Sequence, residues 1–219
     1  MSQTYPRSYQ NTPWLGEMAV NILVVSDLHW DMSQEEVGLL QRANDICQLC
    51  VCLGDIPLDQ LRLVFRNVLI PTVGVLGNHD VFGLLGHAGI EDIHGRSVSI
   101  AGLQVAGIGG CPRYKDDFDS PLYSQTDSLV IERELEQQPP TDLLICHSSP
   151  FHFGQDRAHR GFLGISRYMR RMRPAYVIHG HDHESKAFRR EYAVSKRGRS
   201  ATTVVCSYRV QMLQVDTIA

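Results

Sequence analysis

The sequence predicts an α/β protein on three observations. Apolar runs of strand length alternate with amphipathic, helix-length segments through about residue 80, the pattern of βαβ units around a parallel sheet. From Ser97 the pattern shifts to period-two alternation carrying glycines, which adds antiparallel hairpins. Five short clusters of acidic, amide and imidazole residues each fall where a predicted strand ends, the rim at which open α/β sheets bind ligands.

The elements follow in order. Residues 19–26 (AVNILVVS) form a buried-strand run ended by Asp27. Residues 34–46 show helical spacing through Val37, Leu40, Ala43 and Ile46, with Glu35 and Glu36 suiting the N-terminal turn. Cys50–Leu53 reads as a strand ended by Gly54-Asp55, Leu58–Val68 as a helix behind Pro57, and Thr72–Leu76 as a strand ended by Gly77-Asn78. A hairpin is expected around Ala101-Gly102 and a polar loop over residues 111–124. Asp127–Gln137 reads as an amphipathic helix stopped by Pro139-Pro140. The strand Leu143–Cys146 ends at His147, an arginine-rich helix runs over His159–Met172, and the strand Ala175–Ile178 ends at His179-Gly180. Thr202–Cys206 and Val210–Val215 are expected to close the chain as a second hairpin.

At 219 residues the chain is long enough for one domain with a substantial core. Residues 1–17 read as an N-terminal tail that could be mobile, with Trp14 as its anchor, and 18–219 as a single domain; Met18 could be an alternative start. The N-terminal stretch lacks the apolar segment of a signal peptide, and no apolar run reaches the roughly 18 residues of a membrane span. Apolar content of 43%, charged content of 21% and a net charge of −3 describe an ordinary globular protein without a basic field for nucleic acid. Four of the six cysteines lie in apolar, strand-like contexts, so Cys47, Cys50 and Cys52 read as core rather than as a metal or redox motif. A cytoplasmic, reducing location is expected.

The clusters carry the chemistry. They are Asp27-Leu28-His29, Gly54-Asp55, Gly77-Asn78-His79-Asp80, Cys146-His147 and Gly180-His181-Asp182-His183. Carboxylate, amide and imidazole donors together suit a pair of borderline divalent metals. Each residue alone also has a plain structural reading: a strand-end Asp such as Asp55 often caps the next helix, and isolated histidines are mostly surface residues.

Taken in order, D-x-H, G-D, G-N-H-D, H and G-H-x-H resemble the calcineurin-like metallophosphoesterase superfamily over residues 20–183. The resemblance implies a four-layer αββα sandwich of two mixed β-sheets flanked by helices. It implies a first metal held by Asp27, His29 and His183, a second held by Asn78, His147 and His181, and Asp55 bridging both. His79 would stand outside the metals as general acid, while a hydroxide between the metals attacks phosphorus in line. Mn²⁺ is favoured, with Fe, Zn²⁺ or Co²⁺ also compatible with such ligands.

Arg113 and Tyr114, in the 111–124 loop, and His152 are the candidate substrate contacts. His87, His94, His159 and His179 match no ligand position, although His159, like His152, follows His147 closely enough to line the site; Asp80 and Asp182 could orient histidines. The arginines between 157 and 173 read mostly as a solvated helix face. Ser/Thr protein phosphatases follow Gly-Asp with Asp-Arg, whereas this chain has Ile56-Pro57, and their phosphate-gripping arginines are not recognisable here. A phosphodiester substrate, such as one containing a nucleotide, is therefore favoured. The alternatives are a phosphomonoesterase, acting on nucleotides or proteins, and a scaffold without turnover; the filled ligand positions argue against the scaffold.

Overall fold

A computed structural model describes residues 19–152, 155–195 and 198–216. The expected tail at 1–17, with Trp14, and the start at Met18 lie outside the described residues. The elements run β1 (Ala19–Ser26), α1 (Gln34–Ile46), β2 (Leu49–Cys52), α2 (Leu58–Asn67), β3 (Thr72–Gly74), α3 (Leu84–His87) and β4 (Glu91–Asp92). There follow β5 (Ser97–Ile100), β6 (Leu103–Ile108), β7 (Cys111–Pro112), β8 (Leu122–Tyr123), α4 (Gln125–Glu136) and β9 (Leu143–Cys146). The chain continues with α5 (Leu163–Met172), β10 (Tyr176–His179), β11 (Lys186–Ser195), β12 (Gly198–Cys206) and β13 (Arg209–Asp216).

The strands form two mixed sheets, ordered β13-β1-β2-β3-β4 and β11-β12-β10-β9-β6-β5, plus the small pair β7-β8. The sheets lie face to face. Alternate residues Val20, Ile22 and Val24 of β1 join Val51, Val105, Ile145 and Ile178 in the layer between them. The intervening Leu23 and Val25 face outward onto Leu40 and Ala43 of α1 and Leu61 and Val64 of α2. On the far side Leu144, Val177 and Val204 pack against Ile131 and Leu135 of α4 and Ile165, Tyr168 and Met169 of α5. The result is the four-layer αββα sandwich, and both faces of its central strands are buried. That explains why those strands read as unbroken apolar runs.

Local chemistry sets the helix limits. Ser33 accepts the Glu36 N–H at 3.2 Å while Glu36 accepts the Ser33 N–H at 2.8 Å, a capping box that fixes the start of α1. The same reciprocal arrangement between Ser124 and Asp127 starts α4 at Gln125, two residues earlier than expected. The helix expected from His159 begins only at Leu163, because Gly161 takes a left-handed turn at φ 69° first. Arginines on the expected solvated stretch differ in role. Arg167 and Arg171 lie 3.7 and 3.9 Å from the buried Glu132 of α4, and Arg171 pairs with Glu136 at 2.6 Å.

The closing hairpin is the main correction. β12 and β13 do not pair with each other. β12 pairs parallel with β10 and antiparallel with β11, whereas β13 pairs antiparallel with β1 in the other sheet. Two residues, Ser207 and Tyr208, carry the chain from one sheet to the other, and Arg209 enters β13 in the left-handed region at φ 61°. Its guanidinium grips Glu36 at 2.6 and 2.9 Å and the Asp31 carbonyl at 3.0 Å, so the crossing is tied to α1. β11, with sequence KAFRREYAVS, is an edge strand that the sequence reading did not assign. The expected 111–124 loop likewise contains the short β7 and β8.

Candidate metal centre

The strand ends deliver the sequence clusters to one place. Asp27 follows β1, Asp55 follows β2, Asn78 lies past β3, His147 follows β9, and His181 and His183 follow β10. Four of these residues sit in the left-handed region: Asp27 and Asp55 at φ 53°, His181 at 68° and His183 at 51°. Such a conformation costs on the order of 1–3 kcal/mol per non-glycine residue, and it persists where surrounding structure dictates it. Glycines make room for it. A Cβ on Gly77 would overlap Asp55 Oδ1 and the Asp55 backbone nitrogen, and one on Gly180 would overlap Ser26 Oγ and Asp27 Oδ2. That is the physical reason for glycine in the Gly77-Asn78-His79-Asp80 and Gly180-His181 clusters.

Two groups of donor atoms result. Asp27, His29 and His183 form the first, with ligand atoms within 4.8 Å of one another. His29 Nε2 faces His183 Nε2 at 2.9 Å, and His183 Nε2 lies 3.6 Å from Asp27 Oδ1. Asp27 Oδ1 is buried without a hydrogen-bond partner, while Oδ2 accepts from Ser26 Oγ and from the His181 N–H at 3.0 Å. Asp55, His147 and His181 form the second group. His147 Nε2 stands 2.9 Å from Asn78 Oδ1 and 3.6 Å from Asp55 Oδ2. All seven expected ligand residues are thus brought together, and the His181 N–H to Asp27 bond ties one group to the other.

The proton inventory tests whether these donors fit cations. His147 Nδ1 lies 2.8 Å from the Leu53 carbonyl, which can only accept, so Nδ1 carries a hydrogen and, in the neutral ring, Nε2 offers the lone pair. That lone pair points at the oxygens of Asn78 and Asp55, acceptor against acceptor. His181 Nε2 similarly donates to the Ala158 carbonyl at 3.1 Å, which leaves Nδ1 as its lone-pair atom. His147 is fully buried, and burial lowers its pKa, yet the carboxylates of Asp55, Asp27 and Asp80 and the Leu53 carbonyl outweigh it and the net shift is upward. Positive charge is stabilised at that spot. Burial, together with the charges of His147 and His159, pushes His181 down to about 2, so it stays a neutral donor. The residues present fit divalent metals in both groups.

His79 is exposed; its backbone N–H donates to Asp55 Oδ1 at 2.8 Å, and its ring lies edge-on to His29 at 6.0 Å between centroids. Asp80 makes no hydrogen bond or ion pair to a histidine among the described residues, although its charge acts on His147. Its buried carboxylate accepts the Gly77 N–H at 2.7 Å, the Asp55 N–H at 2.9 Å and the Ile56 N–H at 3.3 Å, locking two of the strand-end loops together. Asp182 lies 4.0 Å from His179 Nδ1, too far to orient it by a hydrogen bond. His179 instead donates to the Gly180 carbonyl at 2.9 Å.

Of the expected substrate contacts, Tyr114 reaches the centre, 3.4 Å from Asn78 Nδ2. Arg113 does not. Its guanidinium is spent on the carbonyls of Asp117 and Leu122 at 3.2 and 2.6 Å, with the Phe118 ring 5.0 Å away. His152 does not line the central cleft; its backbone N–H meets the Arg160 carbonyl at 2.7 Å. His159 does line it, stacked on His181 at 4.9 Å.

The central cleft, of about 210 Å³, is bounded by Asp55, Asn78, His79, Tyr114, Ala158, His159, His181 and His183. A second, more apolar cleft of about 440 Å³ shares Asp55 and His79 and is walled by Leu28, Ile56, Pro57, Leu58, Val81 and Leu84.

The sequence profile of the calcineurin-like phosphoesterase superfamily domain matches residues 20–205. The chain belongs to that superfamily. A Haemophilus influenzae protein of uncharacterised activity is 27% identical over 178 residues, covering 65% of this chain and 75% of its own. The crystal structure of TT1561 of Thermus thermophilus superposes with a TM-score of 0.59 at 14% identity over 91% of this chain and 99% of that one. A Candida albicans 5′-nucleotidase gives a TM-score of 0.54 at 12% identity, with 90% of this chain covering 50% of that protein. At these identities the two structures share the fold with this chain. Superfamily membership suggests a hydrolase, and the structure holds candidate metal-ligand groups. No described helix is long and apolar enough to cross a membrane.

Proposed function

We propose that this chain is a dinuclear-metal-dependent phosphoesterase that hydrolyses phosphodiesters. The carrying observation is the confrontation of buried acceptors in two linked groups, with His147 Nε2 facing Asn78 and Asp55 and with Asp27 Oδ1 unpartnered. Asp27, His29 and His183 would hold the first metal, Asn78, His147 and His181 the second, and Asp55 both. Bound there, a pair such as Mn²⁺ supplies Lewis-acid activation of water and neutralises phosphoryl charge.

The polypeptide does the rest. Backbone carbonyls hold Nδ1 of His147 and Nε2 of His181, which turns the opposite ring nitrogens toward the cation positions. Asp55 is oriented by the His79 N–H. The exposed His79 ring, at the junction of both clefts, carries a proton to the leaving oxygen. The paired clefts support a diester, because each can house one substituent on phosphorus. The aromatic face of Tyr114 suits a base or aryl group in the polar cleft. Residues 18–219 act as one domain, and six free, buried cysteines suit a reducing, cytoplasmic setting.

The test compares kcat/KM for bis-p-nitrophenyl phosphate and p-nitrophenyl phosphate near neutral pH with Mn²⁺. The diester is preferred under this reading, and Tyr114→Ala raises KM for it with little change in kcat. A clear preference for the monoester overturns the diester assignment and leaves the metal site standing.

A further inference from the structure

Behind the polar cleft lies a third cavity of about 420 Å³, lined by Arg113, Arg157, Arg160 and the first turn of α4 at Ser124 and Gln125. It shares a wall with the catalytic cleft. Tyr114 faces the cleft and its neighbour Arg113 the cavity; Ala158 and His159 face the cleft, flanked by Arg157 and Arg160 in the cavity. No carboxylate lines it among the described residues. Of the acids near it in sequence, Asp117 pairs with Lys115 at 3.0 Å, Asp127 accepts the Ser124 N–H at 2.8 Å and Asp156 pairs with His159 at 2.9 Å, while Asp116 and Asp119 are exposed and outside the lining. Arg160 Nε is buried without a hydrogen-bond partner, and neither Arg157 nor Arg160 forms an ion pair among the described residues.

A buried, unpaired guanidinium donor is costly unless something else accepts from it. Arg113 cannot turn away, since two carbonyls hold it in the wall. The twelve-residue α4 adds the positive end of its dipole. The half-buried Arg160, the exposed Arg157, the wall-held Arg113 and a helix start surround one cavity, a lining that suits an anion with several oxygens, such as a phosphate. We propose that this cavity is a subsite for a second phosphate group on the substrate, one cleft away from the scissile phosphoester. This deepens the phosphodiesterase reading and rests on it. The substrate class is a phosphodiester with a terminal phosphate, its planar group passing Tyr114.

The experiment compares a 5′-phosphorylated dinucleotide with the same dinucleotide lacking that phosphate, and uses bis-p-nitrophenyl phosphate as a reference diester without a second anion. The wild type prefers the phosphorylated dinucleotide, and the Arg157→Gln/Arg160→Gln variant loses about tenfold in kcat/KM on it alone, the worth of a charge-assisted contact. The variant should fold, because it removes an unpaired buried donor rather than a partner. No preference in the wild type, or an equal loss on the reference diester, overturns the subsite while the diesterase reading stands. If no diester is turned over, that reading fails, and calorimetric binding decides the subsite by itself. Binding of the phosphorylated dinucleotide that weakens in the variant supports it, and unchanged binding refutes it.

Discussion

Asp80 offers a sharp test of how the strand-end loops are held. Its carboxylate is 5% exposed, and Oδ2 takes both short bonds, from Gly77 N at 2.7 Å and Asp55 N at 2.9 Å; Oδ1 takes only the longer one, from Ile56 N at 3.3 Å. Burial is the largest influence on the carboxyl and pushes its pKa up to about 6, so at neutral pH the charge itself is held at a cost. Asparagine with its oxygen at the Oδ2 position keeps both short bonds, sheds that charge and loses the weak third bond. Asp80→Asn should therefore change stability by no more than about 1 kcal/mol. Alanine leaves all three N–H groups without an acceptor; the two well-bonded ones alone, at about 1–3 kcal/mol each, make Asp80→Ala cost about 2–6 kcal/mol. Urea unfolding near neutral pH with a chelator present reads this directly, because bound metal then adds nothing to the folded state. Metal retention should follow the same order, since Asp55 is anchored through its own N–H. Equal destabilisation by the two substitutions, or an alanine variant as stable as wild type, would refute the argument that the acceptor oxygen, not the charge, holds the loops.

Asp55→Asn should weaken both metals, while Asp27→Asn or His183→Ala should weaken mainly the first; metal content per chain after gel filtration separates these outcomes, and two tightly held metals in the Asp55 variant would sink the bridging role. His79→Ala should keep its metals yet lose roughly 10²–10⁴-fold in rate on a poor leaving group, and less on p-nitrophenolate, whose departure needs little protonation. The hydrogen-bonded guanidinium of Arg209 lowers the Glu36 carboxyl to about 2. A carboxylate with a depressed folded-state pKa stabilises above its unfolded pKa, near 4.5, and loses that contribution as pH falls toward 2. The stability gap between wild type and Glu36→Gln should accordingly be about 1 kcal/mol at neutral pH, after solvent screening, and close on acidification in a chelator-treated pH series.

Much of this protein is written locally. Central strands such as β1 are buried on both faces, so their apolar runs are unmistakable, and the candidate ligand residues follow them within a few positions in the chain. Strand ends converge on one rim by the geometry of a parallel sheet, which is why the ordered clusters alone pointed to a metal centre. The start of α4 was legible in principle from Ser124 and Asp127. Other features depend on partners remote in sequence. The pairing of β13 with β1 rather than β12 is set by burial between the two sheets and by the Arg209–Glu36 contact, both invisible to a hairpin pattern. β11 is charged because it lies at an edge, and edge position is a property of the assembled sheet. Arg113 and Tyr114 are neighbours in the chain, yet one braces its own loop and the other reaches Asn78, a candidate ligand. Patterning thus indicated an α/β fold, and the ordered motifs, through their resemblance to the superfamily, indicated the candidate donor set. Only the tertiary structure decided which donor atoms keep a free lone pair, which clefts flank them and where unpaired positive charge collects, because those depend on hydrogen bonds and cavities formed between distant parts of the chain.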